Sequence, residues 1–199
     1  MNPPPPKPAD DALAHPRAAA TLAVRDSLDP AAPYADQTAL QTLLRRTLAD
    51  YGLVGDAPLG QIIPPGARVL LKPNWVLHKN QGSGPLAAVV TAPELLVALL
   101  GELARTDATH ITLADAPVQG CDFDRLVTDD FRHAARAALR PDQKLEILDL
   151  RRTLLESPDV PGGVEADARS HERYALFDLR DKSLLESVTG PNAFRVTMY

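Results

Sequence analysis

The sequence predicts an α/β domain with a mostly parallel sheet flanked by helices in three layers, Rossmann-like and incomplete at the C-terminus. Three observations lead there. Short continuous apolar runs suited to buried strands, such as Val69-Leu70-Leu71, alternate with longer segments of helical period. The first two of these runs stop at Lys72-Pro73 and Asp115-Ala116-Pro117, and the helical segments carry their own start and stop signals. A chain of 199 residues is also long enough to bury a core without disulfides or metals.

The elements follow in order. Residues 1–19, rich in Pro, Ala and Asp, are expected to be a disordered tail, and residues 20–199 an α/β domain that is part of a longer protein. Thr21-Leu22-Ala23-Val24 reads as a short first strand stopped by Asp29-Pro30. From Asp36 the pattern is helical, with Leu40, Leu43, Leu44, Leu48 and Tyr51 on one face and Gly52 as the stop. After a proline-bearing loop, Arg68-Val69-Leu70-Leu71-Lys72-Pro73 reads as a strand buried on both faces and ended by Pro73. The long connection 74–90 carries Gln81-Gly82-Ser83-Gly84-Pro85, and connections of that length in compact domains are usually functional or disordered.

A helix is predicted over residues 91–105, with Thr91 and Glu94 as a capping box, Pro93 in the first turn and Leu95, Leu96, Leu99, Leu100 and Leu103 on the apolar face. Thr109-His110-Ile111-Thr112-Leu113-Ala114 is the second central strand. Asp122 then caps a helix running to about residue 139, buried through Phe123, Leu126, Val127, Phe131 and Ala135, with Arg132, Arg136 and Arg140 on its wet face. Residues 145–150 form a third strand and residues 174–179 a fourth. Residues 194–199 begin a strand pattern that breaks off, which predicts a fragment with an unpaired edge.

Composition narrows the function classes. A formal net charge of −5 offers no electrostatic footprint for nucleic acid. No apolar run approaches the roughly 18 residues of a membrane span. The opening Met1-Asn2-Pro3-Pro4-Pro5-Pro6-Lys7 has no apolar core and is not a secretory signal, so a cytoplasmic location is expected. One cysteine, Cys121, excludes an internal disulfide and a cluster held by this chain's thiolates alone. His110 and His133 have no partner at ligand spacing, so no metal site is expected. Phosphate-loop, dinucleotide-fingerprint and nucleophile-elbow motifs are all missing. No cofactor and no oligomeric state can be assigned.

In open parallel sheets, ligands bind beyond the carboxyl ends of the strands, and the polar residues cluster there. Lys72 and Asp115 are the candidate catalytic residues; Asn74, His78, Gln119, Cys121, Asp122 and Arg151 are candidate ligand-binding residues. Asp149 closes the third strand beside Arg151. Helices starting near Thr91 and Asp122 would point their N-termini at this rim and favour an anion. Each residue also has a plain structural reading. Lys72 and Asp115 make an ion pair, Asp122 is an N-cap, Cys121 a small buried thiol, and His78 a solvated loop residue.

Val69-Leu70-Leu71-Lys72-Pro73-Asn74-Trp75-Val76 resembles the opening signature of the family called domain of unknown function 362. Val90-Thr91-Ala92-Pro93-Glu94-Leu95 and Ala114-Asp115-Ala116-Pro117-Val118-Gln119-Gly120-Cys121-Asp122-Phe123 fit its next two blocks. The likeness covers residues 68–199 and is closest to members found with bacterial surface-polysaccharide genes. It implies a longer protein with a downstream Lys-x-His element and a later Lys-Asn. Some relatives also carry a ferredoxin-like cluster domain, which a single cysteine excludes here. The expectation is a site for a small anionic molecule in an enzyme-like protein of glycan or envelope metabolism. Lys72 would pair with a carboxylate or phosphate, Asn74 and Gln119 would orient it, and Asp115 would act as acid or base. The alternatives are a non-catalytic binding or assembly module, or half of a composite active site completed by residues outside this chain.

Overall fold

The computed structural model describes Ala32, residues 34–155 and Glu165–Asp167. The tail expected at residues 1–19 and the strands expected at 21–24, 174–179 and 194–199 lie outside the described residues. Within them, strands β1 (Arg68–Leu71), β2 (His110–Asp115) and β3 (Lys144–Asp149) form a parallel sheet in the order β1-β2-β3. Register places Leu71 beside Leu113 and Asp115 beside Asp149, so β2 and β3 end together and β1 stops two residues short of them. Helix α2 (Pro93–Leu103) connects β1 to β2, while α3 (Phe123–Leu126) and α4 (Asp129–Ala137) connect β2 to β3. A shorter antiparallel pair, β4 (Thr153–Leu155) with β5 (Glu165–Asp167), follows. Neither strand of this pair has a sequence signal, because three residues are too few to show alternation.

Helix α1 (Gln37–Asp50) starts where Asp36 accepts hydrogen bonds from the Thr38 and Ala39 N–H groups at 2.8 and 3.0 Å. It stops at Gly52, whose φ of +79° is the left-handed conformation that glycine adopts without strain. Bonds from Gly52 N–H to Ala49 O and from Leu53 N–H to Leu48 O close the end as a Schellman motif. α1 packs on α2, and α2 packs on α4. The core lies between these helices and one face of the sheet. Leu100, Leu103, Ile111 and Leu113 are fully buried there, each stabilising the fold by roughly 2 kcal/mol through removal of its side chain from water.

Four sequence expectations need correction. β1 is not buried on both faces: Leu70 is 63% exposed on the side away from the core. The face it shares carries His110, Glu146 and Lys144, with Glu146 bridging His110 at 2.8 Å and Lys144 at 2.7 Å. The apolar run of β1 was therefore no proof of two covered faces. Second, Thr91 does not cap α2. The N-cap is Ala92, with no side-chain bond, and the Thr91 hydroxyl instead accepts the Asn74 N–H at 2.8 Å. A donor leaving β1 competed with the helix for that oxygen and won. Third, the helix expected from 122 to 139 is two helices. Val127 leaves helical geometry, and Thr128 starts α4 afresh by accepting the Phe131 N–H.

Fourth, the arginine stripe of α4 is not merely solvated. Arg140 donates to the Ala104 and Thr106 carbonyls, and Arg136 donates to the Arg140 and Gln143 carbonyls. Gln143, 2% exposed, completes this knot: its amide nitrogen reaches the carbonyls of Leu103 at 3.2 Å and Ala108 at 2.9 Å. Together these side chains satisfy the carbonyls at the end of α2, which would otherwise be orphaned in the interior. Gln143→Leu keeps the bulk but removes the donors. It is expected to cost about 1–3 kcal/mol in denaturant unfolding, the usual cost of stranding buried polar groups.

Candidate functional site

The carboxyl ends of β1, β2 and β3 deliver the polar residues. Lys72, one residue past β1, places Nζ 2.8 Å from Asp115 Oδ1 at the end of β2. The pair is lopsided, since the lysine side chain is 69% exposed and the aspartate 9%. The buried carboxylate also accepts the Trp75 N–H on Oδ2 at 2.8 Å and the Ala116 N–H on Oδ1 at 2.9 Å. Burial pushes the Asp115 carboxyl up. The hydrogen bonds from Lys72, Trp75 and Ala116, together with the lysine charge, outweigh it and hold the group below the usual carboxylate range. Asp115 is thus ionised at neutral pH with both oxygens engaged. That suits an electrostatic anchor for Lys72 better than a proton donor.

The long connection after β1 is tied down on both sides. Asn74 and Thr91 exchange bonds, Trp75 bridges Val90, and Asn74 Nδ2 donates to Val89 O. Asn80 organises residues 80–85, accepting the Gly82 N–H and donating to Pro85 O. On the other side, the Val118 N–H reaches Val76 O, and His78 Nδ1 accepts the Asp122 N–H at 2.9 Å. His78 is therefore half-buried and directed, not the solvated loop residue expected. Asp122 is the N-cap of α3, as its plain reading had it.

Beyond β2 and β3 lies a cavity of about 370 Å³, lined chiefly by Gln119, Cys121, Asp122, Asp124, Asp149 and Arg151. Arg151 is committed to protein. Its guanidinium meets the Asp149 carboxylate, and Nη1 donates to the carbonyls of Val118, Gln119 and Cys121 at 3.1, 3.3 and 2.9 Å. The residue expected to hold a ligand instead clamps the loop that follows β2. Burial pushes the Cys121 thiol up despite the nearby Arg151 charge and so favours its protonated form. Gln119 donates to Thr153 of β4, while its Oε1 has no partner among the described residues.

No family model matches the chain, and neither a curated protein nor a solved structure matches it. The site is therefore read from its own residues. The structure brings the eight predicted residues to one rim but divides them. Lys72, Asp115 and Asn74 stand at β1 and β2, and Gln119, Cys121, Asp122 and Arg151 at the cavity, with His78 joining the two through Asp122. Asp124 also lines the cavity, as does Asp149, which the sequence placed at the rim but not among the candidate ligand-binding residues. The available signal for Asp149 was its spacing from Arg151, which puts the two side chains on the same side of an extended segment. Among the described residues, no three His, Cys, Asp or Glu side chains group as a metal site would require, and no helix is long and apolar enough to cross a membrane.

Proposed function

We propose that this rim binds a small anionic molecule whose remainder carries hydroxyl groups, as a sugar phosphate does. The observation that carries the reading is Lys72, a largely exposed ammonium anchored by buried Asp115 at the end of a parallel sheet. The neighbouring cavity has three carboxylates against one arginine, which repels a second anion but accepts hydroxyl donors. Gln119 Oε1, buried and without a partner among the described residues, is a further acceptor at this edge. From Lys72, just past β1, to Asp149 at the end of β3 is about two strand spacings, roughly 10 Å, the scale of one phosphorylated ring.

In this reading the sheet is the heart of a three-layer, Rossmann-like domain in a cytoplasmic protein. The likeness of its three sequence blocks to the domain of unknown function 362 attaches it to bacterial surface-polysaccharide metabolism. Arg151, bonded to three carbonyls, favours a second reading, a non-catalytic binding module whose polar groups mainly hold loops.

Calorimetric titration with glucose 6-phosphate, glucose and inorganic phosphate separates these readings. The sugar phosphate should bind tightest. Lys72→Met should weaken it by about 10–100-fold, the value of one charge-assisted hydrogen bond, while leaving any glucose binding unchanged. Equal binding by wild type and Lys72→Met would end the anion-site reading.

A further inference from the structure

We infer that a second cavity, beneath the 74–90 connection, is a binding pocket for one small apolar group the size of a single ring. It is separate from the polar rim, and the proposal does not depend on that site's function. The cavity measures about 150 Å³. Its walls come from three directions: Trp75, Leu86 and Val90 from the connection, Leu96 from α2, and Leu126 and Phe131 from α3 and α4. Trp75 is fixed by edge-on contacts with Phe123 and Phe131, at ring-centre distances of 5.7 and 6.3 Å, so the wall is rigid and aromatic.

Two polar groups of the lining are engaged with protein. The Thr91 hydroxyl accepts the Asn74 N–H at 2.8 Å. The Glu94 carbonyl accepts Gln37 Nε2 at 2.8 Å, and Glu94 itself is exposed. A buried water needs two to four polar partners, and most of this lining is apolar. A mostly apolar space of this volume gains dispersion contacts when a hydrocarbon fills it. Its walls also include residues from the connection, so the occupant would bear on how that connection sits over the rim.

The test uses bromobenzene as probe, with the chain's only tryptophan as reporter, since a bromine atom in the cavity quenches Trp75 at contact. Wild type should show saturable quenching below the solubility limit of the probe, together with a raised thermal midpoint by mass action. Bromide ion should quench little, because Trp75 is 3% exposed. Leu126→Phe fills the space and should abolish both effects. Ala87→Phe, a change at an exposed position of the lining, should weaken both without touching the core. Near-ultraviolet circular dichroism checks that each variant is folded. Quenching that rises linearly without saturation in wild type would overturn the proposal. So would saturable quenching unchanged in both variants, or in Ala87→Phe alone if Leu126→Phe does not fold.

Discussion

Asp115→Ala is expected to destabilise the protein by about 2–4 kcal/mol, whereas Lys72→Met should cost no more than about 1 kcal/mol. The two residues form one ion pair, but the asymmetry follows from exposure. Removing the lysine leaves a carboxylate still holding two backbone donors, and little desolvation is undone because the ammonium is mostly in water. Removing the carboxylate strands the Trp75 N–H in the interior and frees the start of the long connection. Urea unfolding of the two variants measures the difference. Equal costs would show that the pair, and not the Trp75 contact, is what matters.

The same residue sets a pH dependence. Its pKa is depressed in the folded state, so its contribution is fully present above the unfolded carboxylate value of about 3.9. It is lost as pH falls through the lower folded value. Wild type should therefore lose stability in acid below about pH 4 more steeply than Asp115→Asn, in which the titrating group is gone. Parallel slopes would show that Asp115 is not the group responsible.

The second large effect is expected at Arg151. Arg151→Leu should cost about 3–5 kcal/mol, because it leaves the Asp149 carboxylate without its guanidinium and takes the donor from three loop carbonyls. Arg151→Lys should recover little of this. An ammonium can meet either the carboxylate or the carbonyls, and it lacks the planar fork that spans both. Hydrogen exchange gives the local readout: amides of residues 118–122 should lose protection in Arg151→Leu before the sheet does. Unchanged protection there would show that the clamp is not what orders the loop. Because Gln119 and Cys121 line the cavity, this variant should also weaken any ligand that lodges there, without touching Lys72.

The sequence by itself determined the local elements and their order. α1 was legible from Asp36 to Gly52 because both ends carry their own chemistry, an aspartate that accepts N–H groups and a glycine free to adopt positive φ. Parallel β1, β2 and β3 were legible because apolar runs alternated with helical ones, and Pro73 and Pro117 marked the strand ends where Lys72 and Asp115 lie. What only the tertiary structure decided were the partners of groups with more than one available bond. Thr91 exchanged its helix cap for Asn74, and His78 took the Asp122 N–H. Arg140 and Gln143 turned inward to the end of α2, and Arg151 closed on Asp149 and the 118–121 carbonyls. Long polar side chains have similar local preferences whether they face water, a ligand or a distant carbonyl. Apart from Asp149, beside Arg151, the partners named here lie 17 to 44 residues away, so the choice depends on which groups folding leaves unsatisfied nearby.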